Sequence, residues 1–124
     1  MGSYHEVFVE CADGVPHERL LADVGAACGA ALLPVEADHS DWGVKVGGTA
    51  FWLSFSHAFE EDAGIPFERY DAYLDVKDSD GDLVRQEATA RRVYDALAAT
   101  GRYRLALTHD LQRLIAATDL PRAT

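Results

Sequence analysis

Short runs of period-two hydrophobic alternation recur along this chain, and a stripe of period 3.6 interrupts them twice. A chain written this way must build a sheet with helices laid against it. Tyr4 to Cys11 alternates, with His5, Val7, Val9 and Cys11 on one face and Tyr4, Glu6, Phe8 and Glu10 on the other. Asp13-Gly14 marks a turn, and Pro16 suits the first turn of a helix. Leu20, Val24, Ala27, Cys28 and Ala31 then fall on one helical stripe that runs until Pro34. The polar segment from Glu36 to Asp41 reads as a loop.

A hairpin follows. Val44 and Val46 alternate with Lys45, Gly47-Gly48 supplies the positive φ values of a tight turn, and Thr49 to Ser56 continues as a strand. Residues 57–68 read as an acidic loop. Tyr70, Ala72, Leu74 and Val76 share one face of the next strand, opposite Asp71, Tyr73 and Asp75. The Asp78 to Asp82 turn opens a helix from about Leu83 to Ala99, with an apolar stripe of Leu83, Ala90, Val93, Tyr94 and Leu97. Gly101 fits the left-handed position beyond its end. Tyr103, Leu105 and Leu107 form a further strand, and residues 111–116 read as a last hairpin strand or, as the alternative, a short helix. The order is β-α-β-β-β-α-β-(β). It predicts one α+β domain over residues 1–124, with two helices on one face of a mostly antiparallel sheet of five to six strands.

Charge is unevenly distributed. The chain carries a net charge of -10. Residues 1–56 hold eight acids and two bases, residues 57–82 nine and two, and residues 83–124 four and seven. So acidic a surface repels phosphate backbones and argues against nucleic acid as a partner. No apolar run reaches the length of a membrane span, and no signal peptide opens the chain. A cytoplasmic protein is expected. Cys11 and Cys28 match no metal or redox spacing and read as reduced thiols, with a single disulfide as the alternative.

Three clusters carry candidate chemistry. The first resembles a calcium loop: with Gly81 at its sixth position, Asp78, Asp80 and Glu87 occupy ligand positions 3, 5 and 12, but Val76 stands at position 1. A turn followed by helix-capping acids explains the same residues. The second is His57 with Glu60, Glu61 and Asp62, a possible metal or acid–base group or a solvated acidic loop. The third is the row Asp71, Tyr73, Asp75. Its two carboxylates stand about 13 Å apart along a strand, too far for a glycosidase pair but suited to anchoring a basic partner. No nucleophile motif or phosphate loop is present, and no cofactor is expected.

The segments Phe55-Ser56-His57, Phe59 to Phe67 and Asp110 to Leu114 resemble small actinobacterial proteins of no assigned activity. The whole layout is similar to that of immunity proteins of bacterial polymorphic toxin systems. That resemblance implies a non-catalytic inhibitor that masks a toxin domain, and it transfers no site residues. The reading is an acidic binding protein that meets a basic protein partner through Glu60, Glu61, Asp62, Asp71, Tyr73 and Asp75. A small enzyme or ligand-binding domain using His57, Glu60 and Glu61 is the alternative, followed by a divalent-cation protein. A homodimer through an edge strand is also open.

Overall fold

The N-terminal strand is the middle of the architecture. In the computed structural model, which describes residues 3–37, 40–55 and 69–118, with only the backbone at 36, 37 and 40, β1 (His5–Cys11) lies between two later strands. On one side it pairs with β5 (Ala72–Asp78), in register His5↔Val76 to Val9↔Ala72. On the other it pairs with β6 (Tyr103–His109), in register His5↔His109 to Cys11↔Tyr103. The sheet is completed by β2 (Leu33–Ala37), β3 (Ser40–Val46), β4 (Thr49–Ser54) and β7 (Arg113–Thr118). Its order is β2-β3-β4-β5-β1-β6-β7, with every neighbouring pair antiparallel.

Helices α1 (His17–Cys28) and α2 (Leu83–Ala99) cover one face. Val7, Val9, Phe51, Leu53, Leu74, Val76, Leu105 and Leu107 point into that core from the strands. Leu20, Val24 and Cys28 meet them from α1, and Ala90, Val93, Tyr94 and Leu97 from α2. Asp23 ties α1 to β6 by accepting hydrogen bonds from the Tyr103 hydroxyl at 2.5 Å and from Arg102 at 2.9 Å. The α+β architecture agrees with the sequence reading. The Gly47-Gly48 turn, at φ 54° and 85°, falls where expected, and the last segment is a strand, β7, that begins and ends two residues later than residues 111–116.

Four details differ. The sheet has seven strands rather than five or six, because the expected Glu36 to Asp41 loop instead brings β2 and β3 together as an edge hairpin, Leu33↔Gly43 to Ala37↔Ser40. An edge strand needs no alternation, and it tolerates Pro34 because only one side must pair. Helix α1 ends at Gly29, whose φ of 98° turns its N–H onto Gly25 O at 3.0 Å, so Pro34 stops nothing and Ala31 lies outside the helix, exposed. Leu83 is exposed, and its place in the α2 stripe is taken by the fully buried Gln86. Tyr70 leaves the β5 alternation and packs on the opposite face against Phe8, at 5.9 Å between ring centroids.

Gly29 permits a clean measurement of backbone strain, since an added Cβ there meets only Val46 Cγ1, at an ordinary 3.7 Å. Gly29→Ala is expected to destabilise by about 1–2 kcal/mol, the cost of the left-handed conformation. Urea unfolding would report it, and an unchanged midpoint would rule out this cap as the helix stop.

Candidate functional site

The helix-free face of the sheet carries a mixed row of aromatic, polar and acidic groups. Antiparallel register sets them side by side. Trp52 stands opposite Asp75, Asp75 opposite Glu6, and Glu6 opposite Thr108. In the next row, Ser54 faces Tyr73, Tyr73 faces Phe8, and Phe8 faces Ala106. Phe8 and Tyr73 stack at 5.5 Å and, with Tyr70, Ala106 and Leu111, form a second, smaller apolar cluster.

Glu6 is the centre of this face and is only 2% exposed. Its Oε1 accepts hydrogen bonds from Thr108 Oγ1 at 2.7 Å and from the Leu111 amide at 3.0 Å. The latter comes from a strained turn, with Asp110 at φ 53° and Leu111 at φ 59°. Left-handed backbone at two successive non-glycine residues costs on the order of 1–3 kcal/mol each and persists only where its surroundings hold it. Here Asp110 supplies an amide to Tyr4 O at 2.9 Å and a carboxylate to the Tyr4 amide at 2.8 Å.

Electrostatics makes Glu6 and Asp75 a pair. Burial pushes the Glu6 carboxyl up to about 8, and a charged Asp75 adds to the rise. Burial alone pushes Asp75 up to about 6. The order is self-consistent: Asp75 ionises against a neutral Glu6, and Glu6 then ionises against a charged Asp75. Between those values the pair carries one proton and one negative charge. Burial, then Asp75, Glu6 and Asp41, raise the Tyr73 hydroxyl.

The residues expected from sequence are distributed as follows. Asp71 is exposed, and its Oδ2 accepts from the Cys11 amide at 2.9 Å. Tyr73 is 7% exposed, so the row Asp71, Tyr73, Asp75 is not the open polar strip that alternation suggested. Asp75 finds its acidic neighbour across the sheet in Glu6. That residue was missed because nothing local marks a contact 69 positions away. The one available signal was a glutamate flanked by Val7, Phe8 and Val9 in a strand apolar on both faces. His57, Glu60, Glu61 and Asp62 lie outside the described residues.

Asp78, Asp80 and Glu87 are not brought to one point. Asp78 is buried, and its oxygens accept from Arg85 Nε at 2.7 Å, Arg85 Nη2 at 2.9 Å and the amides of Asp80 and Asp82 at 3.1 and 3.0 Å. Arg85 also reaches Asp80 at 3.0 Å, so a guanidinium stands where the loop motif would hold a cation. The Arg85 contact holds the Asp78 carboxyl down at about 2. Glu87 turns instead toward Arg91, Arg113 and His5. Among the described residues, no three of His, Cys, Asp and Glu form a group that could hold a metal.

Cys11 and Cys28 are free, with burial pushing their thiols up to about 11 and about 12. Both stay protonated at neutral pH, which argues against a nucleophilic role. Among the described residues no helix is long and apolar enough to cross a membrane. No family model, curated protein or solved structure matches the chain, so the roles of these residues rest on their own geometry.

The Glu6 carboxyl sets a pH dependence. It ionises near 4.5 in the unfolded chain and near 8 in the fold. A raised acid contributes its full stability below the lower value and loses it as the pH climbs through the upper one. The ceiling on that loss is about 5 kcal/mol. Glu6→Gln, which keeps the acceptor but cannot ionise, should therefore be more stable than the parent at about pH 8.5 and within ~1 kcal/mol of it at about pH 5. Urea midpoints at the two pH values measure this, and parallel pH profiles would exclude a raised Glu6.

Proposed function

We propose that this chain is a non-catalytic binding protein, an immunity-like inhibitor, whose helix-free sheet face receives a basic side chain of a protein partner at Glu6 and Asp75. The observation that carries the reading is the cross-strand placement of these two carboxylates beside Trp52 and Tyr73. A partner arginine or lysine supplies the countercharge that burial has withheld from the pair. Aromatic neighbours and a partly dry surround are what make such an anchor strong.

The charge layout supports this. Five arginines from the basic third of the chain are engaged with carboxylates elsewhere. Arg85 pairs with Asp78 and Asp80, Arg91 and Arg113 with Glu87, Arg102 with Asp23, and Arg104 with Glu10. The segment therefore directs its charge to Asp78, Asp80, Glu87, Asp23 and Glu10. Reduced thiols at Cys11 and Cys28 fit a reducing compartment such as the cytoplasm.

Two measurements test the reading. Carboxyl NMR with an arginine amide as probe should draw the Asp75 titration below its value of about 6 in the parent and leave it unmoved in Glu6→Gln. Affinity capture from the source cells should recover a basic protein at low salt, and Asp75→Asn should lose about tenfold or more in affinity for it. An Asp75 signal indifferent to the probe, with capture unaffected by Asp75→Asn, would reject the proposal.

A second reading is an acid–base enzyme. It draws on a neutral Glu6 beside a charged Asp75 at neutral pH, the state a general acid and base require. Hydrolysis of a glycoside or ester panel that Glu6→Gln abolishes would place this reading first.

A further inference from the structure

The opposite face of β1 leads to a second site, independent of the first. His5 points to the helical side, where a cavity of about 390 Å³ opens between α2 and the ends of β1, β6 and β7. Its walls include His5, Val84, Glu87, Arg91, His109 and Arg113.

The protonation of His5 is fixed by its neighbours. Gln86 Oε1 accepts the Asp78 amide at 2.8 Å, which settles the orientation of that side-chain amide. Gln86 Nε2 then donates to Ser3 O at 3.1 Å and to His5 Nδ1 at 2.8 Å. An Nδ1 that accepts a hydrogen bond holds no proton, so the proton of the neutral ring sits on Nε2. Nε2 is buried in a residue only 1% exposed and completes no well-formed hydrogen bond among the described residues. Glu87 Oε1 stands 3.5 Å away, and both Glu87 oxygens already serve arginines, Arg91 Nε at 3.1 Å and Arg113 Nη2 at 3.3 Å. His109 stacks on His5 at 4.5 Å, and its buried Nε2 also lacks a hydrogen bond.

A buried N–H without an acceptor is costly, and its complement is a ligand oxygen. Two guanidiniums facing one carboxylate give that oxygen a reason to be anionic. The outer wall is apolar, with Val84 84% exposed and Leu83 42% exposed beside it. The cavity lies in the size range of small-molecule sites. We infer that this cavity binds a small organic oxyanion, a carboxylate or phosphate monoester, with the head on His5, Arg91 and Arg113 and an apolar body against Leu83 and Val84. Asp110 Oδ2 lies 3.4 Å from His109 Nε2 while its Oδ1 accepts from the Tyr4 amide, and Asp110 does not line the cavity.

The test follows the His5 and His109 ring ¹⁵N signals during titration with benzoate, phenyl phosphate and benzyl alcohol. Saturable shifts at both rings with either anion, and none with the alcohol, are expected, and the tighter anion identifies the head group. Arg91→Gln combined with Arg113→Gln should weaken binding at least about tenfold. Both side chains are half or more exposed, so the fold should survive, as circular dichroism would verify. Glu87→Gln, which releases both guanidiniums, should tighten binding several-fold. No saturation by roughly 10 mM anion, equal shifts from the alcohol, unchanged affinity in the double variant, or weaker binding in Glu87→Gln would each overturn the inference.

Discussion

The fold turns on β1 pairing along both of its edges. Because side chains alternate along a strand, two neighbours in sequence, His5 and Glu6, enter opposite faces of the sheet. Glu6 meets Asp75 on one side and Thr108 on the other, while His5 meets His109 on the helical face. A slip of one residue in this register would send Val7 and Val9 out of the core and Glu6 into it. The hydrophobic core therefore holds both polar groups in place, and neither site is built without it.

Gln86 connects the helical layer to this strand. It is fully buried and makes three hydrogen bonds, to the end of β5, to Ser3 and to His5. Asp78 completes the junction by gathering Arg85 and the amides that precede α2. A buried amide with every bond satisfied specifies one geometry, whereas a leucine at the same point would tolerate several. The same network settles the tautomer of His5, so a structural joint also determines which ring nitrogen carries the proton. An acidic turn that resembles a calcium loop in sequence serves here as the anchor of a helix.

The alternation of Val7, Val9, Leu53, Leu74 and Leu105 made the sheet legible, and the spacing of Val24, Val93 and Leu97 made the helices so. Both signals are local, and both reflect burial of one face. What remained hidden was local in a different way or not local at all. The β2 edge strand has no alternation to read, since an edge of mixed polarity pairs through its backbone. Gln86 broke the expected stripe because a polar residue inside a helix face reads as solvent until its partners are known. Asp71, Tyr73 and Asp75 were recognised as a row, but their exposure depended on Phe8 and Tyr70, which arrive from other elements. The Glu6–Asp75 pair and the His5–His109 stack each join residues far apart in sequence, and only strand order brings them together.

The turn at Asp110 and Leu111 shows which side of the molecule is arranged at a cost. A hairpin joining β6 to β7 has cheaper options, above all glycine at its left-handed positions. This chain instead places a leucine there, with its amide on Glu6 and its side chain on the Phe8 cluster. A glycine would relieve the backbone but remove the apolar contact. The strain is retained where it orients the carboxylate that burial has made hardest to ionise among the described residues. That hydrogen bond favours the charged form of Glu6, while burial opposes it more strongly. The balance leaves a carboxyl that is neutral when the face is empty and ready to ionise when a cation approaches. A surface carboxylate at its ordinary value carries its charge at all times and draws cations by steering alone. Glu6 would thereby couple its charge to occupancy, as the proposed anchor for a basic group requires.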